Sequence, residues 1–165
     1  MAVKPCIPWP DPRLTRKAEP VDAITDDIRT IWQDMVDTMD AMPGYGLAAP
    51  QLGILLQLAV VDCSTERGKA IRMANPEILS TSTTTRSHVE ASPNLPGLSA
   101  KLDRPADVTV AFIDVTGLKV CQDFEGLWAT SVQHQIDHLN GKLFVHRLSR
   151  VKRDMLLKKA AKGRG

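Results

Sequence analysis

His134-Gln135-Ile136-Asp137-His138 governs how the rest of this chain is read. Two histidines four residues apart on a helix project from one face, the geometry that grips a single transition metal. In the hydrolytic form of this spacing a glutamate follows the first histidine and moves protons for the metal-bound water. Here that place holds Gln135, which keeps the shape and hydrogen-bonding atoms of glutamate but carries no titratable proton. The stretch is built like a metallohydrolase and lacks the group that would do the work.

Around it, Gly126 precedes a helix over about Leu127 to Leu139, and Asn140-Gly141 supplies a C-terminal stop. Upstream, Val108-Thr109-Val110-Ala111-Phe112-Ile113-Asp114, Gly117 and Val120 to Phe124 read as a hairpin with a short turn. Leu55 to Val61 has buried-strand length, and Ala70 to Ala74 and Thr83 to Val89 are weaker strand candidates. Ile28, Ile31, Trp32, Met35, Val36 and Met39 recur at helical spacing, predicting an amphipathic helix from about Asp26 to Met42. Thr25 with Asp26 and Asp27 starts it, and Pro43-Gly44 ends it. Pro5 to Pro20 reads as extended chain and turns, and a third helix from Ser149 to roughly Ala161 leads into a basic tail reaching residue 165. Helix, then strands, then helices is an α+β order, expected to form one domain over residues 1–165.

Composition narrows the function classes. With 165 residues and 43% hydrophobic content the chain can build a sizeable core. A net charge of +2 is too small to argue for a specific nucleic acid, and the local excess lies at Lys152-Arg153, Lys158-Lys159 and Lys162-Gly163-Arg164. No apolar run reaches membrane-span length, and no charged n-region precedes an apolar h-region. Cys6, Cys63 and Cys121 are odd in number and scattered, against a disulfide framework. The expectation is a soluble, reduced, cytoplasmic protein without a membrane partner, monomeric or weakly dimeric.

Three ordered stretches resemble peptide deformylase, the metallohydrolase that removes the formyl group from N-terminal methionine. Gly44-Tyr45-Gly46-Leu47-Ala48-Ala49-Pro50-Gln51 is close to the family's G-x-G-x-A-A-x-Q, and His134 to His138 continues as Leu139-Asn140-Gly141, again family-like. Between them, where the family has E-G-C-L-S, this chain has Glu90-Ala91-Ser92-Pro93-Asn94. Pro10-Asp11-Pro12-Arg13-Leu14 and Asn75-Pro76 also look similar, so the likeness spans nearly the whole sequence. It implies antiparallel strands packed around a central helix carrying His134 and His138. It also implies iron or zinc held by a cysteine thiolate and two histidines, with water in the open fourth position.

Carried over residue by residue, the resemblance breaks at the chemistry. His134 and His138 stand as candidate metal ligands, and Gln51 as the candidate oxyanion donor. The cysteine ligand becomes Ser92, a poorer ligand because a hydroxyl ionises far above a thiol. Gln135 replaces the acid/base, and Pro93 offers no N–H to an oxyanion. Losing a general acid/base costs ~10²–10⁴ in rate and one oxyanion donor ~10²–10³, although such factors need not multiply. Because Ala91, Pro93 and Asn94 depart as well, natural divergence explains the set better than an engineered trap.

The remaining site residues follow from the resemblance or from spacing. Tyr45, Gly46, Glu90, Leu127, Thr130 and Ser131 are assigned to the substrate pocket. Thr130 and Ser131 share the helical face of His134, and their hydroxyls suggest a smaller or more polar ligand than methionine. Glu90 is read as structural, Asp137 as the partner of a buried Arg104, and His88 and His146 as strand or surface residues. Cys63 and Cys121 are candidates to replace the lost thiolate, with buried free thiols as the plainer reading. The leading functional expectation is a deformylase-like pseudoenzyme that binds N-terminal peptides of nascent proteins; the basic tail reads as a solvated helix face, with a ribosome contact as the alternative. The alternatives are a slow or retargeted metal-dependent hydrolase of an amide or ester, residual deformylase included, and a regulator that dimerises with an active relative.

Overall fold

The first helix shows how local signals were turned into structure. In the computed structural model, which describes residues 2–163, α1 spans Asp26–Ala41. Thr25 caps it by accepting from the Ile28 N–H at 3.3 Å, a contact worth about 1 kcal/mol. Asp26 and Asp27 sit in its first turn, where their charge opposes the helix dipole. Its buried stripe of Ile28, Trp32, Met35, Val36 and Met39 packs on Leu58 and Val60.

Seven strands follow: β1 (Gly46–Ala48), β2 (Leu58–Val61), β3 (Ile71–Thr81), β4 (Thr85–Ala91), β5 (Ser99–Pro105), β6 (Asp107–Ile113) and β7 (Lys119–Glu125). Five form an antiparallel sheet in the order β1-β2-β3-β6-β7, and β4 pairs with β5 in a separate hairpin. Helix α2 (Gly126–Leu139) comes next, then α3 (Arg150–Gly163). The architecture is α+β, with antiparallel strands around the central helix α2.

Strand alternation puts the two long helices on opposite faces of the sheet. On β2, Leu58 and Val60 join the α1 cluster, while Val61 joins Ala129, Val132 and Ile136 of α2. Successive strand residues point to opposite faces, so α1 and α2 cover different sides. Helix α2 is buried along almost its whole length. It ends where Gly141 (φ 77°) turns back, and a Cβ there would lie 2.6 Å from the Thr15 carbonyl oxygen.

Several boundaries differ from the sequence reading. Leu55 to Gln57 lie outside the strand, with Leu56 bridging Glu19. The weak candidate at Ala70 to Ala74 is an eleven-residue strand that continues through Asn75 and Pro76. Pro76 has no N–H for a ladder, so the register shifts between Ala74 and Glu77, and the Asn75 side chain bonds both backbone atoms of Val21 instead. Strand β5 went unread, because Lys101, Asp103 and Arg104 make it look like a polar loop. No helix among the described residues is long and apolar enough to cross a membrane. Arg164, the end of the basic tail, lies outside the described residues.

Candidate functional site

Beneath the site lies a buried ionic frame. Arg104 of β5, 2% exposed, grips Glu90 of β4 with Nε at 2.6 Å and Nη2 at 2.8 Å. Its Nη1 reaches Asp137 of α2 at 3.0 Å, and Arg147 closes on the same carboxylate at 2.6 and 2.7 Å. Burial pushes the Glu90 carboxyl upward, but hydrogen bonds from Arg104 and His134 outweigh it and hold it at about 2. The expected Asp137–Arg104 pair is present, and Glu90 borders the pocket with both oxygens engaged.

His134 and His138, one turn apart on α2, meet through their Nε2 atoms at 3.2 Å. His134 Nδ1 lies 2.8 Å from a Glu90 oxygen, which can only accept. With that proton directed at Glu90, His134 Nε2 accepts from His138 Nε2–H; the tautomers are assigned from these partners. His138 is buried, and burial first, then nearby cationic groups, hold its basicity well below the ordinary histidine value. Its Nδ1 is enclosed without a hydrogen-bond partner.

The third corner belongs to a neutral network. Gln51 stands in the 3-10 turn Ala49–Leu52, just after β1. Its Oε1 accepts from the Ala48 N–H at 2.9 Å, and its Nε2 donates to Asn94 Oδ1 at 2.9 Å and to Ser92 Oγ at 3.3 Å. Ser92 in turn donates to Asn94 Oδ1 at 3.0 Å. Asn94 Nδ2 donates to the Gln51 carbonyl at 3.0 Å and to the Ile7 carbonyl at 2.5 Å, lacing the N-terminal segment to the site. Sequence reasoning quoted Asn94 only as a departure; the Ser-x-Asn spacing that lets the two side chains meet was the available signal.

These donors do not fit a three-ligand catalytic metal. Two imidazole nitrogens converge, but the third group is a hydroxyl engaged with Asn94 and Gln51, and among the described residues no three His, Cys, Asp or Glu gather to hold an ion. Cys63 bonds the Tyr45 carbonyl at 3.9 Å, and burial pushes its thiol up to about 12. Cys121 is exposed on β7, not buried as expected, because the outward face of that edge strand meets solvent. Neither thiol bonds His134, His138 or Ser92.

Above the frame opens a cavity of about 470 Å³. Leu127, Thr130, Ser131, His134 and Gln135 of α2 form its floor, and Tyr45, Gly46 and Glu90 also line it. Its mouth is apolar, with Met42, Pro43, Val89 and Pro96 beside Tyr45, whose exposure is 55%. Ser131 donates to the Tyr45 carbonyl at 3.0 Å, and Thr130 pairs with His88 of β4 at 2.8 Å. At Gly46 a Cβ would fall 2.5 Å from Gln135 Nε2 and 2.6 Å from Ser131 Oγ, so a side chain there would displace both. Gln135 Oε1 is buried with no partner. His146 stays apart from the cavity, accepting from the Leu143 N–H.

Comparison with known proteins places this chain in a family with the same fold. The family model described as polypeptide deformylase matches residues 3–154. A peptide deformylase of Afipia carboxidovorans is 43% identical over 164 residues, covering 98% of this chain and 96% of the relative. A protein of Agrobacterium fabrum named peptide deformylase-like is 40% identical, with 99% of each chain covered. The crystal structure of a peptide deformylase from Legionella pneumophila is similar at a TM-score of 0.91 and 39% identity, covering 99% of this chain and 96% of that one.

Proposed function

This chain belongs to the polypeptide deformylase family, and we propose that it keeps the fold and pocket of a deformylase while binding N-terminal peptides without cleaving them. The observation that carries this reading is the hydroxyl of Ser92, turned into Gln51 and Asn94 instead of toward the two histidines. The third ligand position and the candidate oxyanion donor thereby satisfy each other. Gln51 has two amide hydrogens, and both already have acceptors.

Proton transfer fares no better. Gln135 accepts and donates hydrogen bonds but takes no proton from an attacking water. Glu90 is the nearest carboxylate to His134, yet its two oxygens serve Arg104 and the His134 ring. What this chain's residues can do is bind. The cavity offers an apolar mouth and a floor that carries Thr130, Ser131 and Gln135.

A retargeted hydrolase is the second reading, favoured by the facing Nε2 atoms of His134 and His138. Two nitrogens each ~2.0–2.1 Å from a tetrahedral ion would lie about 3.4 Å apart, close to the 3.2 Å found. Formate release from a formyl-methionyl peptide, in protein reconstituted with iron(II), nickel(II) or zinc(II), separates the two. Our reading expects no turnover above blank together with measurable peptide binding. Clear metal-dependent turnover would overturn it.

A further inference from the structure

We infer that strand β7 is a self-association surface, on which a second copy of this chain pairs antiparallel about a two-fold axis at Gln122. Strand β7 (Lys119–Glu125) ends the five-stranded sheet and has a partner only on its β6 side. The opposite end of the sheet offers no such edge, because β1 has three residues and buries Leu47 and Ala48 completely. On β7, by contrast, Lys119, Cys121, Gln122, Asp123 and Glu125 are all exposed. The strand contains no proline and pairs with β6 without a bulge. Such an edge presents a row of unpaired N–H and C=O groups to any chain that can match it.

The β6–β7 turn fixes which groups face outward. The Asp114 N–H donates to the Leu118 carbonyl at 2.9 Å, and from there the ladder runs in step to Asp107 and Glu125. Antiparallel pairs alternate between bonded and unbonded, so Val120, Gln122 and Phe124 bond to β6. Lys119, Cys121, Asp123 and Glu125 therefore turn their N–H groups to the open edge. No turn or loop among the described residues bonds to them.

Charge identifies the occupant. The register that pairs all seven strand residues of two copies sets each Lys119 opposite the other copy's Glu125. Cys121 then faces Asp123, whose carboxylate Thr109 already holds at 2.6 Å, and Val120 faces Phe124. Opposite charges and apolar side chains directly across from one another both favour pairing. Moving the axis to Asp123 sets that carboxylate against itself, and moving it to Cys121 leaves Glu125 opposite the turn at Gly117. A copy of this chain carries the inverted charge order by definition, which an unrelated strand does not.

Sedimentation of the wild-type protein from micromolar to millimolar concentration should show a monomer–dimer equilibrium, and a monomer throughout overturns the inference. Cys121→Pro removes an outward N–H and leaves the β6 ladder whole. It should abolish the dimer, and a folded Cys121→Pro protein that still dimerises overturns the assignment to β7. Lys119→Glu and Glu125→Lys each set like charges opposite one another, and each should weaken self-association at least about tenfold. Mixed together, the two variants restore both charge pairs and should form a mixed dimer; its absence overturns the register. The mixture decides even where the proline variant fails to fold. Gln122→Cys in a Cys121→Ser background should cross-link on oxidation, because unbonded pairs bring Cα atoms to about 4.5 Å. Wild-type Cys121, facing Asp123, should not, and the reverse pattern would contradict the axis at Gln122.

Discussion

Asn94 accepts the Gln51 amide at 2.9 Å, and through that one contact the group expected to hold an oxyanion is held by the protein instead. The same Asn94 oxygen takes the Ser92 proton, so two departures from the family pattern lock together. Ser92, Asn94 and Gln51 thus close one buried network.

Restoring Gln135→Glu alone therefore yields no measurable formate release. Adding Ser92→Cys and Asn94→Ser frees Gln51 and supplies a thiolate, and turnover should appear only in the combined variant. Each missing catalytic group is worth ~10² or more in rate. Formate assay of the single and combined variants checks this, and activity in Gln135→Glu alone contradicts it.

Asn94→Ala should destabilise the fold by about 1–3 kcal/mol, since it removes one acceptor of the Gln51 amide and the side-chain donor to the Gln51 and Ile7 carbonyls. Urea denaturation reads the loss. Amide exchange at Ile7 and Trp9 should quicken as well, because Asn94 anchors that segment through the Ile7 carbonyl and its own carbonyl bond to the Trp9 N–H.

Glu90→Gln should cost about 3–5 kcal/mol, the usual loss when a buried pair is broken from one side. Its pH dependence has a definite sign. The folded carboxyl lies at about 2 against an ordinary 4.5, so the unfolded chain takes up the proton first as pH falls. Stability from Glu90 is full above about 4.5 and is lost progressively towards pH 2. Unfolding free energy measured across that window should fall less steeply in Glu90→Gln than in the wild type.

Iodoacetamide at pH 8 should modify Cys121 well before Cys63. Cys121 is exposed, whereas burial pushes the Cys63 thiol up to about 12, leaving almost no thiolate. Peptide mass mapping over time shows the order, and equal rates would mean that the Cys63 side chain is not held as described.

Chelator should leave the melting temperature unchanged. A resident metal contributes its binding free energy to stability, and the Ser92–Gln51–Asn94 network needs none. A fall in melting temperature of several degrees with EDTA, reversed by zinc, would show a bound ion that the donor set does not favour.

The elements that were legible in the sequence are those written in short-range periodicity. The stripe from Ile28 to Met39 marks α1, the pair His134 and His138 marks α2, and alternation marks the β6–β7 hairpin, because partners three or four residues apart, or across a short turn, meet whatever the rest of the chain does. Ser92, Pro93 and Gln135, the residues on which our proposed loss of catalysis rests, could be read in the same local way.

Tertiary structure alone decided what fills the gap they leave. Asn94 meets Gln51 across 43 positions and Ile7 across 87, and Arg104 reaches Glu90 and Asp137 from a strand that composition disguised. Such contacts have no periodic signature; they exist because burial leaves each polar group to find a partner or forfeit its hydration. Local pattern was enough for α1, α2 and the β6–β7 hairpin, and for reading Ser92, Pro93 and Gln135 at the three motif positions. Only the folded chain determined that Ser92, Gln51 and Asn94 satisfy one another while Gln135 Oε1 is enclosed without a partner.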